Sequence, residues 1–207
     1  MTYEAALNES IGCQQQARQC IIQGNYSQAA SLYEQAINAE PDVKSHYWHL
    51  GLTLLLQGQE AEAHTTWLLG MVGGDPEEVE RWTEELRQVL HTEAERYSAL
   101  VEHSVVWLIR QHLREICPAD INNLLHLIQL GIQLETFTGD ELKDWGVIEL
   151  LEVAPPVEVD FGLLMQTLQR VLDYTPLHPL SVELVQASLA HVRDNQAFLI
   201  AVFPAAM

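Results

Sequence analysis

The chain repeats itself at a spacing of about 34 residues over its first third. At that offset small residues align with small ones and aromatic residues with aromatic ones: Ala17 with Gly51, Gly24 with Gly58, Ala29 with Ala63 and Tyr33 with Trp67, while Pro41 falls beside Pro76. A period of this length is typical of stacked helical hairpins, and a single hairpin cannot bury its apolar face alone. The repeat therefore predicts helices that pack in series.

Each repeated pair suits one task in such a hairpin. The alanine and glycine pairs let two helices approach closely, and Gly24 and Gly58 can adopt the positive φ that ends the first helix of a unit. Tyr33 and Trp67 are placed to fill the space between neighbouring units. The two prolines separate one unit from the next.

The segment from Ser10 to Pro76 resembles the tetratricopeptide repeat family. The start of the family motif is matched by Tyr47, Leu50, Gly51 and Leu54, and its second half by Gly24-Asn25-Tyr26, Ala29, Tyr33, Ala36 and Pro41. The sequence departs from the pattern at Cys13, Gln16 and Gly70. The resemblance implies an α-α superhelix, or solenoid, that presents a groove to other proteins.

Helical spacing of apolar residues continues after the repeats. Residues 77–117 contain no glycine or proline, and one straight helix of that length would be about 60 Å long. We therefore expect a turn inside it, with a new helix starting at Thr92, because Thr92 and Glu95 form a capping-box pattern that Thr138 and Glu141 repeat. Further helices are predicted over Asp120–Leu134, Asp160–Asp173 and Leu180–His191, with Pro155-Pro156 as a break.

These patterns predict an all-α solenoid of about eleven helices. Two tetratricopeptide-like units occupy residues 1–76, degenerate helical repeats continue over 77–154, and C-terminal helices occupy 155–207. The closing segment, Ala197–Met207, is apolar. It suggests either that the chain is the N-terminal part of a longer protein or that this segment packs on a partner.

The charge excludes one class of partner. Ten Lys and Arg stand against 29 Asp and Glu, which gives −19 overall and −10 and −9 for the two halves divided after residue 100. Neither half supplies the basic face that nucleic-acid binding requires. Cys13, Cys20 and Cys117 are an odd number of cysteines without close spacing, which suits a reducing compartment. The apolar run Leu52–Leu56 is too short to span a bilayer. We expect a cytoplasmic protein.

Two groups of side chains invite a metal or thiol hypothesis. His46 and His49 lie one turn apart, with Glu60, Glu62 or His64 as candidate further ligands. Against this hypothesis, Tyr47, Leu50 and Gly51 occupy the packing face of that helix and leave the histidines near its edge or exposed. Cys13 and Cys20 share one helix face and coincide with packing positions, which favours buried small hydrophobes over a reactive pair.

No catalytic motif accompanies the repeats. The sequence lacks Gly-x-Ser-x-Gly, His-Glu-x-x-His and a phosphate-binding glycine loop. We therefore predict a non-catalytic module without a cofactor.

The predicted binding face comes from the family resemblance, because the first helix of each unit lines the groove. The candidate partner-binding residues on it are Arg18, Ile22, Trp48, Leu52, Leu55 and Leu56. Their apolar character suggests a partner protein or adjoining domain that docks an apolar or amphipathic segment. The alternative is that these residues belong to the core.

Two further hypotheses remain open. The run from Glu40 to Gly51, followed by Leu52–Leu56, is similar to repeat regions that precede SPINDLY-like O-linked N-acetylglucosamine transferase or methyltransferase domains in bacterial proteins. The chain would then recruit substrates for a catalytic domain outside it. Separately, six carboxylates between Asp75 and Glu85 suit a helix start, or a docking site for a basic partner.

Overall fold

The structure is a computed structural model. It describes the backbone of residues 3–147 and 159–174 and of positions 182, 183, 185–187, 189, 190 and 193, with side chains from residue 12 onward. Its complete helices are α1 Tyr3–Ile22, α2 Tyr26–Ala39, α3 Lys44–Leu56, α4 Glu60–Met71, α5 Pro76–Ala99, α6 His103–Ile116, α7 Ile121–Gln133, α8 Glu141–Asp144 and α9 Phe161–Asp173. These residues contain no strand. The all-α prediction is confirmed.

The chain forms two compact units, Met1–Ile109 and Arg110–Met207, and the division falls within α6. The three segments predicted from the repeats, 1–76, 77–154 and 155–207, describe kinds of repeat and stay predictions. In the part of the chain that the structure describes, no helix is long and apolar enough to cross a membrane.

The first unit begins with two helical hairpins, α1–α2 and α3–α4. Gly24 and Gly58 lie in the turns of these hairpins with φ of 74° and 78°, which confirms the conformation predicted for both. The side chain of Asn25 accepts a hydrogen bond from the Gln28 amide and so caps α2. The two hairpins therefore turn in the same way, one repeat apart.

Helices α3 and α4 pack through two reciprocal contacts, each between a tryptophan of one helix and a glycine of the other. A Cβ atom on Gly51 of α3 would overlap the indole of Trp67, and one on Gly70 of α4 would lie 2.7 Å from the Trp48 ring. The Trp67 Nε1–H also donates to the Trp48 carbonyl at 3.2 Å. Each indole thus occupies the space that the facing helix leaves by lacking a side chain.

The other small residues of the repeat are buried as predicted. Ala17, Ala29 and Ala63 have no exposed surface. Tyr33 of α2 is buried and stacks on His49 of α3 with ring centroids 5.4 Å apart. The aromatic residue of the first hairpin therefore packs against the second hairpin, as the sequence predicted.

The predicted helix start at Thr92 is wrong. Helix α5 runs unbroken from Pro76 to Ala99, and Glu95 pairs with His91 at 3.0 Å instead of capping a new helix. The expected turn does exist, but it lies at residues 100–102, where Val101 adopts a φ of 61°. A β-branched residue seldom adopts this conformation, so the sequence did not reveal the turn.

The second unit confirms two predicted helix starts. Asp120 accepts from the Asn123 amide and Asp160 from the Leu163 amide, which caps α7 and α9. Thr138 donates to Glu141 through its amide and its hydroxyl, although α8 is only four residues long. The buried core of this unit, drawn from α7 and α9 and the segments around them, comprises Ile121, Leu124, Leu125, Ile128, Phe137, Leu142, Val147, Val159, Leu164, Leu168, Val171, Val185 and Leu189.

Some predicted features lie outside the described residues. Pro155-Pro156 and Ala197–Met207 are among them, and Leu180–His191 is described only in part, with helical backbone at its described positions. The predicted total of about eleven helices therefore stays a prediction.

The glycine at the α3–α4 contact should resist substitution. We expect Gly51→Ala to lower the free energy of unfolding by about 1–3 kcal/mol, because its Cβ must displace the Trp67 indole. Gly12→Ala is the matched control. It also lies in a helix but has nothing within 4 Å of its Cβ position, so it should stabilise by about 0.5–1 kcal/mol. Urea unfolding measures both, and equal effects would contradict the close packing.

Candidate interaction surfaces

The predicted apolar groove is not on the surface. Trp48, Leu52 and Leu55 of α3 have no exposed area, because α3 packs against α2, α4 and α5. The Trp48 Nε1–H reaches α5, where it donates to the Glu85 carboxylate at 3.3 Å. The prediction that these three residues face a partner is corrected: they form the core, which was the stated alternative.

The other predicted binding residues are only partly accessible. Leu56 is half-buried against the core of the first hairpin. Arg18 is exposed, and Ile22, at the end of α1, is 60% exposed. Of the six predicted binding residues, only Arg18 and Ile22 of α1 are therefore exposed.

His46 is a buried packing residue. The sequence placed it near an edge or exposed, but its exposed area is zero. Its Nδ1 accepts a hydrogen bond from the Gln14 side-chain amide at 2.9 Å, and its Nε2 lies 3.8 Å from the Glu40 carboxylate. Burial lowers the pKa of His46, against an opposing effect of Glu40. The side chain links α1, the end of α2 and α3.

His49 is engaged in the same way. Its Nδ1–H donates to the Ser45 carbonyl at 2.7 Å, and its ring stacks on Tyr33. Burial lowers the pKa of His49. Neither histidine joins Glu60 or Glu62 in a three-ligand cluster among the described residues. The structure therefore uses both imidazoles for packing.

The cysteines of α1 differ in exposure. Cys20 is buried in the core of the first hairpin with Ala17 and Ile21, whereas Cys13 is half-buried, and both are free thiols. Cys20 thus fits the predicted role of a small core residue.

The acidic stretch begins α5. The Asp75 side chain accepts from the Glu78 amide at 2.9 Å, and the Glu78 carboxylate accepts from the Asp75 amide at 3.2 Å. Farther along, Arg87 donates to Glu84 and lowers its pKa. Several of these carboxylates therefore support the helix and its packing, as the sequence predicted for the early members.

A group of exposed apolar side chains on α4 was not predicted. Leu68, Leu69 and Val72 are 67%, 58% and 68% exposed. Leu68 and Leu69 belong to α4, and Val72 is its C-cap residue, with a φ of −64° that still follows the helix. Because residues three and four apart lie on one helix face, the three side chains lie opposite the buried face of α4, which contains Ala63, Trp67 and Gly70. We call this patch the α4 stripe.

The repeat offers an internal comparison for the α4 stripe. Moving back by one repeat places Leu68 on Glu34, Leu69 on Gln35 and Val72 on Asn38 of α2, and all three are exposed. The same position in the same architecture is therefore polar in one hairpin and apolar in the next. Extending the self-alignment past Trp67 would have revealed this difference.

Comparison of the chain with models of known protein families and with curated proteins gives no match. The resemblances to the tetratricopeptide family and to repeat regions of larger transferases therefore stay predictions.

Matched substitutions of two leucines test which of them belongs to the core. We expect Leu55→Ala to lower the free energy of unfolding by about 2–5 kcal/mol, because the side chain is fully buried. Leu69→Ala removes the same atoms from an exposed site and should cost less than about 0.5 kcal/mol. Chemical unfolding of the two variants is the measurement. If Leu55→Ala lowers the free energy of unfolding as little as Leu69→Ala does, Leu55 is not a core residue.

His46, which is buried, and His49, which is half-buried, predict a pH dependence of the stability. Their pKa values are lowered in the folded state, so as the pH falls below their ordinary value the unfolded chain binds protons first. The free energy of unfolding should therefore decrease between about pH 7 and pH 5. The double variant His46→Gln/His49→Gln should flatten this slope in urea titrations.

The control for this pH dependence is His91→Gln, which removes a partly exposed histidine of α5. It should retain the slope that His46 and His49 cause. If the double variant and wild type have the same slope, His46 and His49 do not carry the effect.

Proposed function

We propose that this chain is a non-catalytic protein-interaction module, a tetratricopeptide-like superhelix that binds its partner through the α4 stripe. The support is the pair of hairpins at the start of the chain, whose positive-φ glycines and buried alanines recur at the spacing of the repeat. In the second hairpin, glycines on α3 and α4 also face the tryptophans of the opposite helix at close distance. Hairpins of this kind provide a rigid frame, and their outward positions are free to vary with the partner.

The α4 stripe is the observation that carries the proposal. Single exposed apolar side chains are ordinary on protein surfaces, but three neighbours on one helix face form a patch. Each square ångström of apolar surface removed from water contributes roughly 25 cal/mol, so covering this patch favours association. Because α2 has Glu34, Gln35 and Asn38 at the same positions, the hairpin itself does not require apolar residues there.

Three of the side chains that the sequence offered as metal ligands or reactive thiols have structural roles. His46 bonds to Gln14, His49 bonds to the Ser45 carbonyl, and Cys20 lies in a core. Their contacts support a binding role for this unit, in which rigidity matters more than reactivity.

The test replaces the α4 stripe by its own counterparts from α2. The variant Leu68→Glu/Leu69→Gln/Val72→Asn should keep the fold, since α2 has these residues in the same setting. We expect the full chain to retain partner proteins from a lysate of its source organism and the triple variant to lose them by about tenfold or more. Quantitative mass spectrometry of the captured proteins measures this, followed by reconstitution of the complex from purified components.

The control is Ser31→Ala/Gln35→Ala, which changes two exposed residues of α2 and should capture as wild type does. Circular dichroism and the unfolding midpoint establish that all three proteins are folded. If the folded triple variant captures the same proteins in the same amounts, the α4 stripe does not bind them and the proposal fails.

A further inference from the structure

We infer that the segment bound by the α4 stripe is a basic amphipathic helix, with apolar side chains on one face and Lys or Arg beside them. This inference rests on the proposed function and names the chemistry of its partner. It follows from the charge around the α4 stripe, the low polarity of the helix face that contains it, and the partners of the nearby carboxylates.

The sequence around the α4 stripe is mainly acidic, and the nearest cations along the chain are Lys44, whose Nζ lies 4.6 Å from the centre of the Trp82 ring, and Arg81, which pairs with Glu78. Residues 45–80 include no Lys or Arg, but they include six acidic residues: Glu60, Glu62, Asp75, Glu77, Glu78 and Glu80. Glu62 is exposed and lies seven positions before Leu69, which places it in line with that leucine two turns earlier on the same face. At the other end, Asp75 follows Val72 by three residues. An apolar patch between carboxylates favours an apolar ligand with cationic flanks.

Two of the carboxylates at the start of α5 are available to a ligand. Asp75 and Glu78 are engaged in the capping box, and Glu78 also pairs with Arg81 at 3.9 Å. Glu77 and Glu80 are exposed, and no described residue forms a hydrogen bond or ion pair with either of them. They begin the helix that follows the α4 stripe, so cations of a bound segment can pair with them without breaking an existing contact.

The helix face beyond the α4 stripe is low in polarity as well. Ala61 is exposed two turns before Leu68, and Thr65 is exposed one turn before Leu68 and Leu69. The Thr65 hydroxyl already donates to the Ala61 carbonyl at 2.8 Å. A small alanine and a threonine with a satisfied hydroxyl let another helix approach closely. The face from Ala61 to Val72 therefore suits a helix whose apolar side chains recur every three or four residues.

A second copy of the chain is a poorer occupant. A two-fold contact through the α4 stripe would bring Glu62 and the acidic start of α5 of each copy near the same groups of the other. Each chain also has a net charge of −19, so association between copies is opposed at long range. A basic segment gains from the charges that a second copy would have to overcome.

The experiment uses the full chain and two synthetic peptides of about 16 residues, which is long enough to form a helix on binding. Both peptides have leucines at helical spacing on one face; one has lysines on its flanks and the other has glutamates. Fluorescence anisotropy measures binding at low and high salt. We expect the lysine peptide to bind at least about tenfold more tightly than the glutamate peptide, and this preference to shrink as salt screens the charges.

Substitutions locate the binding on the protein. The variant Leu68→Gln/Leu69→Gln/Val72→Asn removes the apolar side chains without adding a carboxylate that would itself attract lysine, and it should weaken the lysine peptide about tenfold. The variant Glu77→Gln/Glu80→Gln should weaken it about threefold, with a smaller salt dependence. Glu135→Gln/Asp140→Asn removes the same charge from exposed positions of the second unit and should have no more than a minor effect.

The outcomes separate the partner chemistry from the proposed function. If the glutamate peptide binds the α4 stripe equally well or better, or if the lysine peptide binds the neutral variant Leu68→Gln/Leu69→Gln/Val72→Asn as tightly as wild type, the inference is wrong. If partner capture is still lost in the triple variant, the proposed function survives that result. Concentration-dependent dimerisation of wild type that the triple variant lacks, seen by analytical ultracentrifugation, would show that a second copy is the occupant and would also overturn the inference.

Discussion

The two reciprocal tryptophan–glycine contacts between α3 and α4 are the interaction on which the first unit depends. Trp67 fills the space over Gly51 and Trp48 fills the space over Gly70, so the two helices come closer than ordinary side chains allow. Since α3 also packs on α2 and α5, it has no apolar face left for a ligand. The same tight pairing leaves α4 with one covered face and one open face. The packing of α3 and the exposure of the α4 stripe are therefore two consequences of one arrangement.

The sequence predicted the parts of the fold that local chemistry determines. Glycines that need positive φ, small residues at helix contacts, and aspartates that accept from an amide three residues on were placed correctly, because each requirement concerns one residue and its neighbours. The turn after α5 was misplaced for the opposite reason. Val101 adopts φ 61° without a glycine, proline or asparagine to mark it, whereas Thr92 and Glu95 have the pattern of a helix start inside a continuous helix.

The candidate site was harder to predict because burial depends on neighbours distant in sequence. The family resemblance assigned the first helix of each unit to a groove, and the apolar residues of α3 fitted that expectation. Helices α2 and α4 cover much of α3, and α5, which lies beyond the recognisable repeats, adds to this cover and reaches Trp48 through Glu85. The α4 stripe was accessible to sequence reasoning in principle, because the offset of the repeat sets Leu68, Leu69 and Val72 against three polar residues.

The acidic residues around the start of α5 divide into those with structural contacts among the described residues and those that lie near the α4 stripe without one. The sequence suggested that function would lie on apolar residues of the first helix of each unit, but Trp48, Leu52 and Leu55 of α3 are core. Early carboxylates of α5 cap the helix or pair with arginines. These acidic residues therefore have a role in stability that needs no partner protein. Glu77 and Glu80 have no such task among the described residues, and Glu62 lies on the face of the α4 stripe. In this first unit the informative surface is therefore where apolar and acidic residues adjoin, since apolar contact supplies affinity there and charge selects the partner.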